Sequence, residues 1–372
     1  MRGENIYLWQ LDEWPHWAQE GAALEPLLAQ VHRAQGHLLG SMESLGLGLR
    51  QQASLQVLTE DILKTSAIEG DALNADAVRS SLARRLGVDI GALPPADRQV
   101  EGIVQMTLDA TQRYEELLTA ERLHGWHAAL FPTGYSGLSS IRVGQWRDDA
   151  SGPMQVVSGP IGRQVVHYEA PPAHLLEAEM QDFLDWFNVI QIDPLIKAGL
   201  AHLWLVTIHP YEDGNGRIAR AVGDMALARA ERSPMRFYSL SSQMQRERAD
   251  YYRQLERAQK GTLDATAWLQ WFLGCLLRAI EGSEQTLATV LAKARFWQRW
   301  AGTPLNARQI KLLNRLLEGF EGKLTSSKWA AIAKCSPDTA LRDINELLAL
   351  GMLGKAGGGG RSTAYTFSIR TT

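Results

Sequence analysis

His209-Pro210-Tyr211-Glu212-Asp213-Gly214-Asn215-Gly216-Arg217-Ile218-Ala219-Arg220 is the most informative run in the chain. An apolar helical segment, HLWLVTI at 202–208, leads into it, and a second helix is expected to open at its far end. Between them the Gly-Asn-Gly turn lets backbone N–H groups approach an anion without a side chain in the way, and the helix start adds the positive end of its dipole. Arg217 and Arg220, at i and i+3, share one helix face and can hold successive phosphates with forked donors. Asp213 is a hard oxygen ligand suited to a Mg²⁺ that keeps most of its waters, and His209 is placed to take a proton from an attacking hydroxyl. Together these parts predict transfer of part of a nucleotide to a hydroxyl. Taken singly they are ordinary: a histidine after an apolar helix is commonly structural, and a Gly-Asn-Gly run is commonly a turn. The P-loop pattern GxxxxGK[ST] and the zincin spacing HExxH are both absent.

Working outward, 372 residues with 45% hydrophobic and 21% charged composition exclude a disordered or collagen-like chain and predict two or three domains. The net charge of −3 argues against nucleic acid as partner of the whole surface. Cys275 and Cys335 are too few for a disulfide framework or a cysteine zinc site, so buried free thiols in a reducing cytoplasm are expected. The first residues lack a secretory pattern, and the apolar run at 268–280 is too short to cross a bilayer, so no membrane association is expected.

Leu27, Leu28, Val31, Leu38 and Leu39 recur at helical spacing, predicting long amphipathic helices over residues 24–58. Thr59 is expected to cap a separate short helix, LTEDILKTSAIEG, closed by Gly70, and Asn74 and Gly87 to bound the next. The run GVDIGALPPADRQ then reads as a connection, and Trp9, Trp14 and Trp17 as pins for an N-terminal arm. Residues 100–280 are expected to be mostly helical, interrupted by a hairpin of strands at 155–157 and 164–168 that leans on the helices as a flap. From Thr303 the chain carries ten Lys and Arg against five Asp and Glu. There an Asn306/Gln309 capping box, a helix start at Ser326, a Ser336-Pro337 start and two strands around a glycine loop give the order of a winged helix-turn-helix.

The 209–220 segment resembles the Fic signature H-x-F-x-D/E-G-N-G-R-x-x-R, with Tyr211 in place of the usual phenylalanine and the other specified positions matching. The resemblance extends over residues 100–280. It implies a mainly α Fic-type core with a β-hairpin flap, a helical N-terminal extension and a C-terminal winged helix, divided as 1–95, 96–285 and 300–372. It also implies transfer of AMP from ATP to a Ser, Thr or Tyr hydroxyl of a protein. By position, His209 would be the general base, Asp213 the Mg²⁺ ligand, Gly214, Asn215 and Gly216 the anion hole, and Arg217 and Arg220 the binders of the β- and γ-phosphates. The hairpin carrying Val156, Val157, Val165 and Val166 matches the flap that lays a target segment beside the site. Tyr252 fits a family nucleotide contact, and Gln259 stands where the family has asparagine. Thr65-Ser66-Ala67-Ile68-Glu69-Gly70 resembles the inhibitory motif [S/T]xxxE[G/N], implying that Glu69 pairs with Arg220 and displaces the γ-phosphate.

Two other readings stand beside this one. A Fic enzyme can move UMP, a phosphate or phosphocholine, or remove AMP. A DNA-binding regulator would read duplex through Thr339, Arg342 and Asn345 with Arg361 in the wing, its basic face diluted by Asp338, Asp343 and Glu346. The target protein, with the chain itself as one candidate, and homo-oligomer formation stay open.

Overall fold

The computed structural model describes residues 7–89, 96–160, 163–317, 324–355 and 363–367. Its contacts divide the chain into two units, Met1–Glu284 and Gln285–Thr372.

In the first unit α1 (Gly21–Glu43) and α2 (Leu47–Ile68) are followed by α3 (Ala75–Leu86), α4 (Arg98–Gln112) and α5 (Ala120–Leu130). Thr59 does not begin a helix. It lies inside α2, where its hydroxyl donates to the Leu55 carbonyl at 2.6 Å, a back-bond that satisfies the side chain without breaking the helix. Asn74 caps α3 through the Ala77 N–H, and Gly87 closes it in the left-handed conformation, as the sequence predicts. Gly102 lets α4 cross α5: a Cβ there would stand 1.7 Å from the Ala129 carbonyl oxygen.

Two small hairpins follow, β1 (Tyr135–Ser136) with β2 (Ser139–Ser140), and β3 (Gln155–Ser158) with β4 (Val165–Glu169). The second is the expected flap hairpin, irregular between Val156 and Val157, and it pairs Gln155 with Glu169 and Ser158 with Val165. The remaining helices are α6 (Leu176–Val189), α7 (Pro194–Ile208), α8 (Asn215–Glu231), α9 (Leu240–Arg246), α10 (Arg248–Gln259) and α11 (Thr266–Arg299), within which the division between the units falls.

Helix α7 is the axis of the first unit. From Leu195 to Ile208 every residue except Lys197 is buried, which is why its sequence is apolar all round rather than along one stripe. Helix α8 packs along it, and Trp268 of α11 donates its indole N–H to the Gly199 carbonyl at 2.8 Å. The N-terminal tryptophans pin as expected: Trp9 donates to the Glu169 carbonyl, Trp14 to Glu179, and Trp14 and Trp17 meet Trp204 of α7 edge to face. Cys275 is a buried free thiol, whereas Cys335 is only partly covered because it follows a helix end. No helix among the described residues is long and apolar enough to cross a membrane.

The second unit contains α12 (Ala307–Leu317), α13 (Ser326–Ala333), α14 (Pro337–Ala349) and the antiparallel pair β5 (Leu353–Lys355) and β6 (Tyr365–Phe367). Leu312, Trp329, Ile344, Leu347, Met352 and Tyr365 form its core. The Asn306/Gln309 capping box closes reciprocally at 2.9 and 3.0 Å. Helix α13 starts at Ser326 as expected, with Thr325 as its cap, and Ser336 caps α14 ahead of Pro337. Asp343 does not dilute an outer basic face. It is buried and accepts from Arg308 and Asn306, while Glu346 accepts from Gln309, because these carboxylates bind α14 to the start of α12. Arg361 and the glycine loop at 356–362 lie outside the described residues.

Candidate active site

Asp193 caps α7 by accepting from the Leu195 and Ile196 N–H groups, and Pro194 occupies the first helical position, so the helix start is fixed locally. At its other end His209 adopts φ +53, a left-handed cap that turns the chain out of the helix, its N–H donating to Leu205 O at 3.0 Å. The turn ends at Gly214, φ +83, which is also the N-cap of α8. Asn215 holds the turn shut: its side-chain oxygen accepts from Tyr211 N–H at 2.9 Å and its amide donates to Tyr211 O at 2.8 Å.

Tyr211 is fully buried, with its ring stacked on His127 at 4.1 Å and its hydroxyl 3.1 Å from His124 Nδ1. The tyrosine that replaces the usual phenylalanine therefore keeps the ring packing and finds a partner for its extra oxygen. His127 Nδ1 accepts from Gly144 N–H at 3.1 Å, so its Nε2–H donates to Asp213 O at 3.2 Å. Burial pushes this imidazole down to about 4 and keeps it neutral. Arg147 completes the support, its backbone N–H donating to Pro210 O at 2.9 Å and its Nε to His209 O at 2.8 Å. None of His124, His127 and Arg147 stands out in the sequence, because each acts through a contact across more than sixty positions.

The His209 imidazole is pushed down to about 4, chiefly by burial, with the Arg147 charge adding to it against the bond to Val206 O. It is neutral at physiological pH. With Nδ1–H donating to Val206 O at 3.3 Å, Nε2 carries the free lone pair. Asp213 keeps a side chain 42% exposed; its Oδ1 accepts from Gly214 N–H at 2.5 Å and its Oδ2 from the Ser136 hydroxyl. Among the described residues no group of three or more His, Cys, Asp or Glu side chains gathers as a metal cage.

Both arginines are buried and both are met by α2 and the turn after it. Arg220 donates from Nε to Thr65 Oγ1 at 2.6 Å and from Nη2 to Thr65 O at 3.1 Å and Glu69 Oε1 at 2.6 Å. Glu69 lies directly over the glycine turn, since a Cβ on Gly216 would stand 2.3 Å from its Oε1. Gly70, at φ +95, reverses the chain so that Asp71 reaches Arg217 Nη1 at 3.0 Å. Arg217 also stacks over Phe131 at 5.1 Å. Arg217 Nε and Arg220 Nη1 are buried donors without a partner among the described residues. The sequence singles out Thr65, Glu69 and Gly70 but misses Asp71, whose signal is only its place after the glycine.

Tyr252 comes to the same corner, its hydroxyl reaching Ile68 O at 3.3 Å beside Arg248, which donates to the same oxygen at 2.9 Å. Gln259 is buried and donates to Val206 O at 3.2 Å, so its amide ties α10 to the end of α7. In the flap Val156, Val157, Val165 and Val166 are all exposed. Tyr168 anchors the hairpin by donating to Thr207 O at 2.6 Å, and His167 Nδ1 lies 3.0 Å from Glu256 of α10.

Residues 117–227 match the Fic/DOC family, and residues 7–88 match a domain of unknown function, DUF4172. Protein adenylyltransferase fic-1 of Caenorhabditis elegans is 35% identical over 95 residues, 25% of this chain and 17% of that protein. Protein adenylyltransferase Fic of Nematostella vectensis is 37% identical over 117 residues, 30% and 25% of the two chains, and that of Culex quinquefasciatus is 26% identical over 254 residues, 65% and 45%. The chain thus spans less than half the length of these curated relatives. The crystal structure of a Fic family protein from Desulfovibrio desulfuricans G20 shares the fold, with a TM-score of 0.52 and 20% identity over 93% of this chain and 97% of that one. With the signature turn built between α7 and α8 inside the matched segment, residues 117–227 of the chain carry a Fic domain.

Proposed function

We propose that this chain is a protein adenylyltransferase held in a low-activity state by the end of α2. The carrying observation is a neutral His209 with a free Nε2 lone pair beside a glycine turn, next to two buried arginines that each keep an unpaired donor. In the reaction the oxygen of a Ser, Thr or Tyr hydroxyl attacks the α-phosphorus of ATP, its proton passes to His209 Nε2, and the bond to the β-phosphate breaks to release pyrophosphate. Arg217 and Arg220 hold the departing phosphates, and the N–H groups at Gly214, Asn215 and Gly216 receive charge on the phosphate oxygens.

Asp213 fits a Mg²⁺ ligand: a single half-exposed carboxylate suits an ion that takes its other oxygens from water and phosphate. Bound there, the ion would offset charge on the α- and β-phosphates. Glu69 and Asp71 occupy the arginines that the phosphates need, which supports the inhibited reading. The exposed valines of β3 and β4 support strand addition of the target segment. The three-part division 1–95, 96–285 and 300–372, a cytoplasmic setting and a winged-helix role for the last part belong to the same proposal. For that last part, DNA is the second reading, favoured by Asp343 turning inward and leaving Arg342 and Asn345 exposed on α14. A salt-dependent shift of duplex DNA by the full chain tests it.

The transferase reading is tested by incubating the chain with each nucleoside triphosphate and Mg²⁺, with and without lysate proteins, and measuring intact masses. An AMP increment from ATP, lost in His209→Ala, is expected. An increment from another nucleotide alone, or AMP transfer by His209→Ala at the parental rate, overturns it.

A further inference from the structure

At the opposite ends of α7 and α8 from His209 and Arg217, a cleft of about 510 Å³ opens between the start of α7, the end of α8 and the loops around residues 115–117 and 188–192. Its volume lies in the range of small-molecule sites. Lys197, Arg229 and Arg232 line it together with the apolar surface of Phe187, Ile190 and Leu117. Leu117 at the rim is 64% exposed. Lys197 is the one residue of α7 between 195 and 208 that is not buried, so an otherwise apolar helix presents a cation here.

Two of these cations are held in place. Lys197 Nζ donates to Ile190 O at 2.6 Å and lies over the Trp186 and Phe187 rings at 5.7 and 5.6 Å. Arg229 donates from Nε to Tyr114 O at 2.6 Å and from Nη2 to Glu116 O at 2.8 Å, with its guanidinium over Phe187 at 4.8 Å. Carbonyls fix the geometry but do not neutralise the charge. No carboxylate among the described residues forms an ion pair with Lys197, Arg229 or Arg232, although Glu115 also lines the cleft. The consequence is legible in the ammonium, which burial and then the Arg229 charge push down to about 8. Burial and then the Arg122 charge likewise push Arg229 down to about 10.

Two fixed cations over an aromatic ring, a third beside them and an apolar rim form a site with positive charge in excess and hydrocarbon beside it. We propose that this cleft binds an amphiphilic organic anion, one with a carboxylate or phosphate head against Lys197 and Arg229 and an apolar body along Phe187, Ile190 and Leu117. Such a ligand restores charge balance to cations whose burial disfavours their charged forms, and it covers the exposed rim. A purely structural role, in which Lys197 and Arg229 only staple two loops through their carbonyls, predicts no preference for anions.

The probe is decanoate below its micellar concentration, titrated calorimetrically into the full chain, with decanol as the neutral counterpart. Decanoate is expected to bind with one-to-one stoichiometry at least about 10-fold more tightly than decanol, as charge-assisted contacts require. Lys197→Met retains the stem over the rings and removes the charge, and should lower decanoate affinity about 10-fold without changing decanol. Leu117→Asp, at a 64% exposed position, should weaken decanoate by a similar factor with the unfolding midpoint unchanged. Equal affinity for decanoate and decanol, no binding of decanoate, or parental decanoate affinity in both variants overturns the proposal. All these readouts are independent of nucleotide transfer, so the cleft and the transferase reading fail separately.

Discussion

Asp71 Oδ2 lies 3.0 Å from Arg217 Nη1, just past the turn that sets Glu69 Oε1 2.6 Å from Arg220 Nη2. Both arginines of the signature are thus met by carboxylates from one short segment, 69–71, and the left-handed Gly70 spaces the two. On the proposed adenylyltransferase reading, opening the site for a triphosphate requires both pairs to part.

The two pairs differ in weight. Glu69 is 28% exposed and meets a buried guanidinium, so its charge-assisted bond is worth about 1.5–3 kcal/mol, or roughly 10- to 150-fold in the competent population. Asp71 is 40% exposed, and a pair so solvated contributes about 0.2–1 kcal/mol, or roughly 1.5- to 5-fold. Self-modification with ATP should rise by those factors in Glu69→Gly and Asp71→Asn, measured by AMP incorporation at fixed ATP. Glu69→Gly/Arg220→Ala should not show the rise, because the phosphate needs the same arginine. An unchanged rate in Glu69→Gly sinks the inhibitory reading.

The signature turn was legible in the sequence because its residues are adjacent: His209, Asp213 and the glycines are set by local backbone geometry that spacing records. The contact of Arg220 with Thr65 and Glu69 was legible only through resemblance, since Thr65 and Arg220 are 155 positions apart. Arg147, His127 and Asp71 were not legible. A histidine that fixes a carbonyl across the fold leaves no periodic trace, and an aspartate after a glycine reads as a turn. Thr59 misled for a related reason: a threonine ahead of two acids has the composition of a cap, but the helical periodicity of α2 continues through it. Likewise Asp343 reads as surface charge until its partners Arg308 and Asn306 are brought to it.

If His209 is the base of the proposed transfer, its low pKa sets the acid limit. In the free enzyme the base fails when it is protonated, so kcat/KM in Glu69→Gly should hold from pH 7 down to about 5 and fall toward pH 4, rather than falling around the ordinary imidazole value of about 6.5. His209→Ala should lose roughly 10²-fold or more of kcat and retain ATP binding. An acid limb centred near 6.5 would show that the imidazole is not buried during turnover.

Stability should follow the same histidines. His127 and His209 are pushed down to about 4 and His202 to about 3 by burial, so between those values and about 6.5 the unfolded chain binds protons that the native one does not. The histidines' contribution to stability is then complete above about pH 6.5 and is lost as pH is lowered toward 4. The midpoint of urea unfolding should drop across that window, and His127→Gln, which cannot take up the proton, should flatten the drop. A parental slope in this variant would remove His127 from the account.

The proposed Mg²⁺ ligand role of Asp213 makes a specific metal dependence testable. Asp213→Ala should raise the Mg²⁺ concentration needed for half-maximal transfer while leaving fold stability near parental, since the side chain is 42% exposed. Full parental activity in excess chelator refutes the role.

The end of α2 is held by α10 as well as by Arg217 and Arg220. Arg248 Nε donates to Ile68 O at 2.9 Å, and the Tyr252 hydroxyl reaches the same oxygen at 3.3 Å. A last-turn carbonyl lacks an intrahelical partner, so these donors fix the turn from which Glu69 and Asp71 project. Arg248→Met retains the stem over the Tyr252 ring and deletes the donor, which is worth about 0.5–1.5 kcal/mol. In the Glu69-containing chain the α2 end should then release more readily, and self-modification should rise roughly 2- to 10-fold. In a Glu69→Gly background the same change should add no more than the roughly 1.5- to 5-fold share of the Asp71 pair, because no carboxylate remains over Gly216 to be released. Tyr252→Phe separates the second donor: if Tyr252 serves nucleotide binding as well, its KM for ATP in the Glu69→Gly background rises while that of Arg248→Met does not. An equal rise from Arg248→Met in both backgrounds means that the residue acts on the site directly, and the clasp is then not the means by which α10 restrains α2.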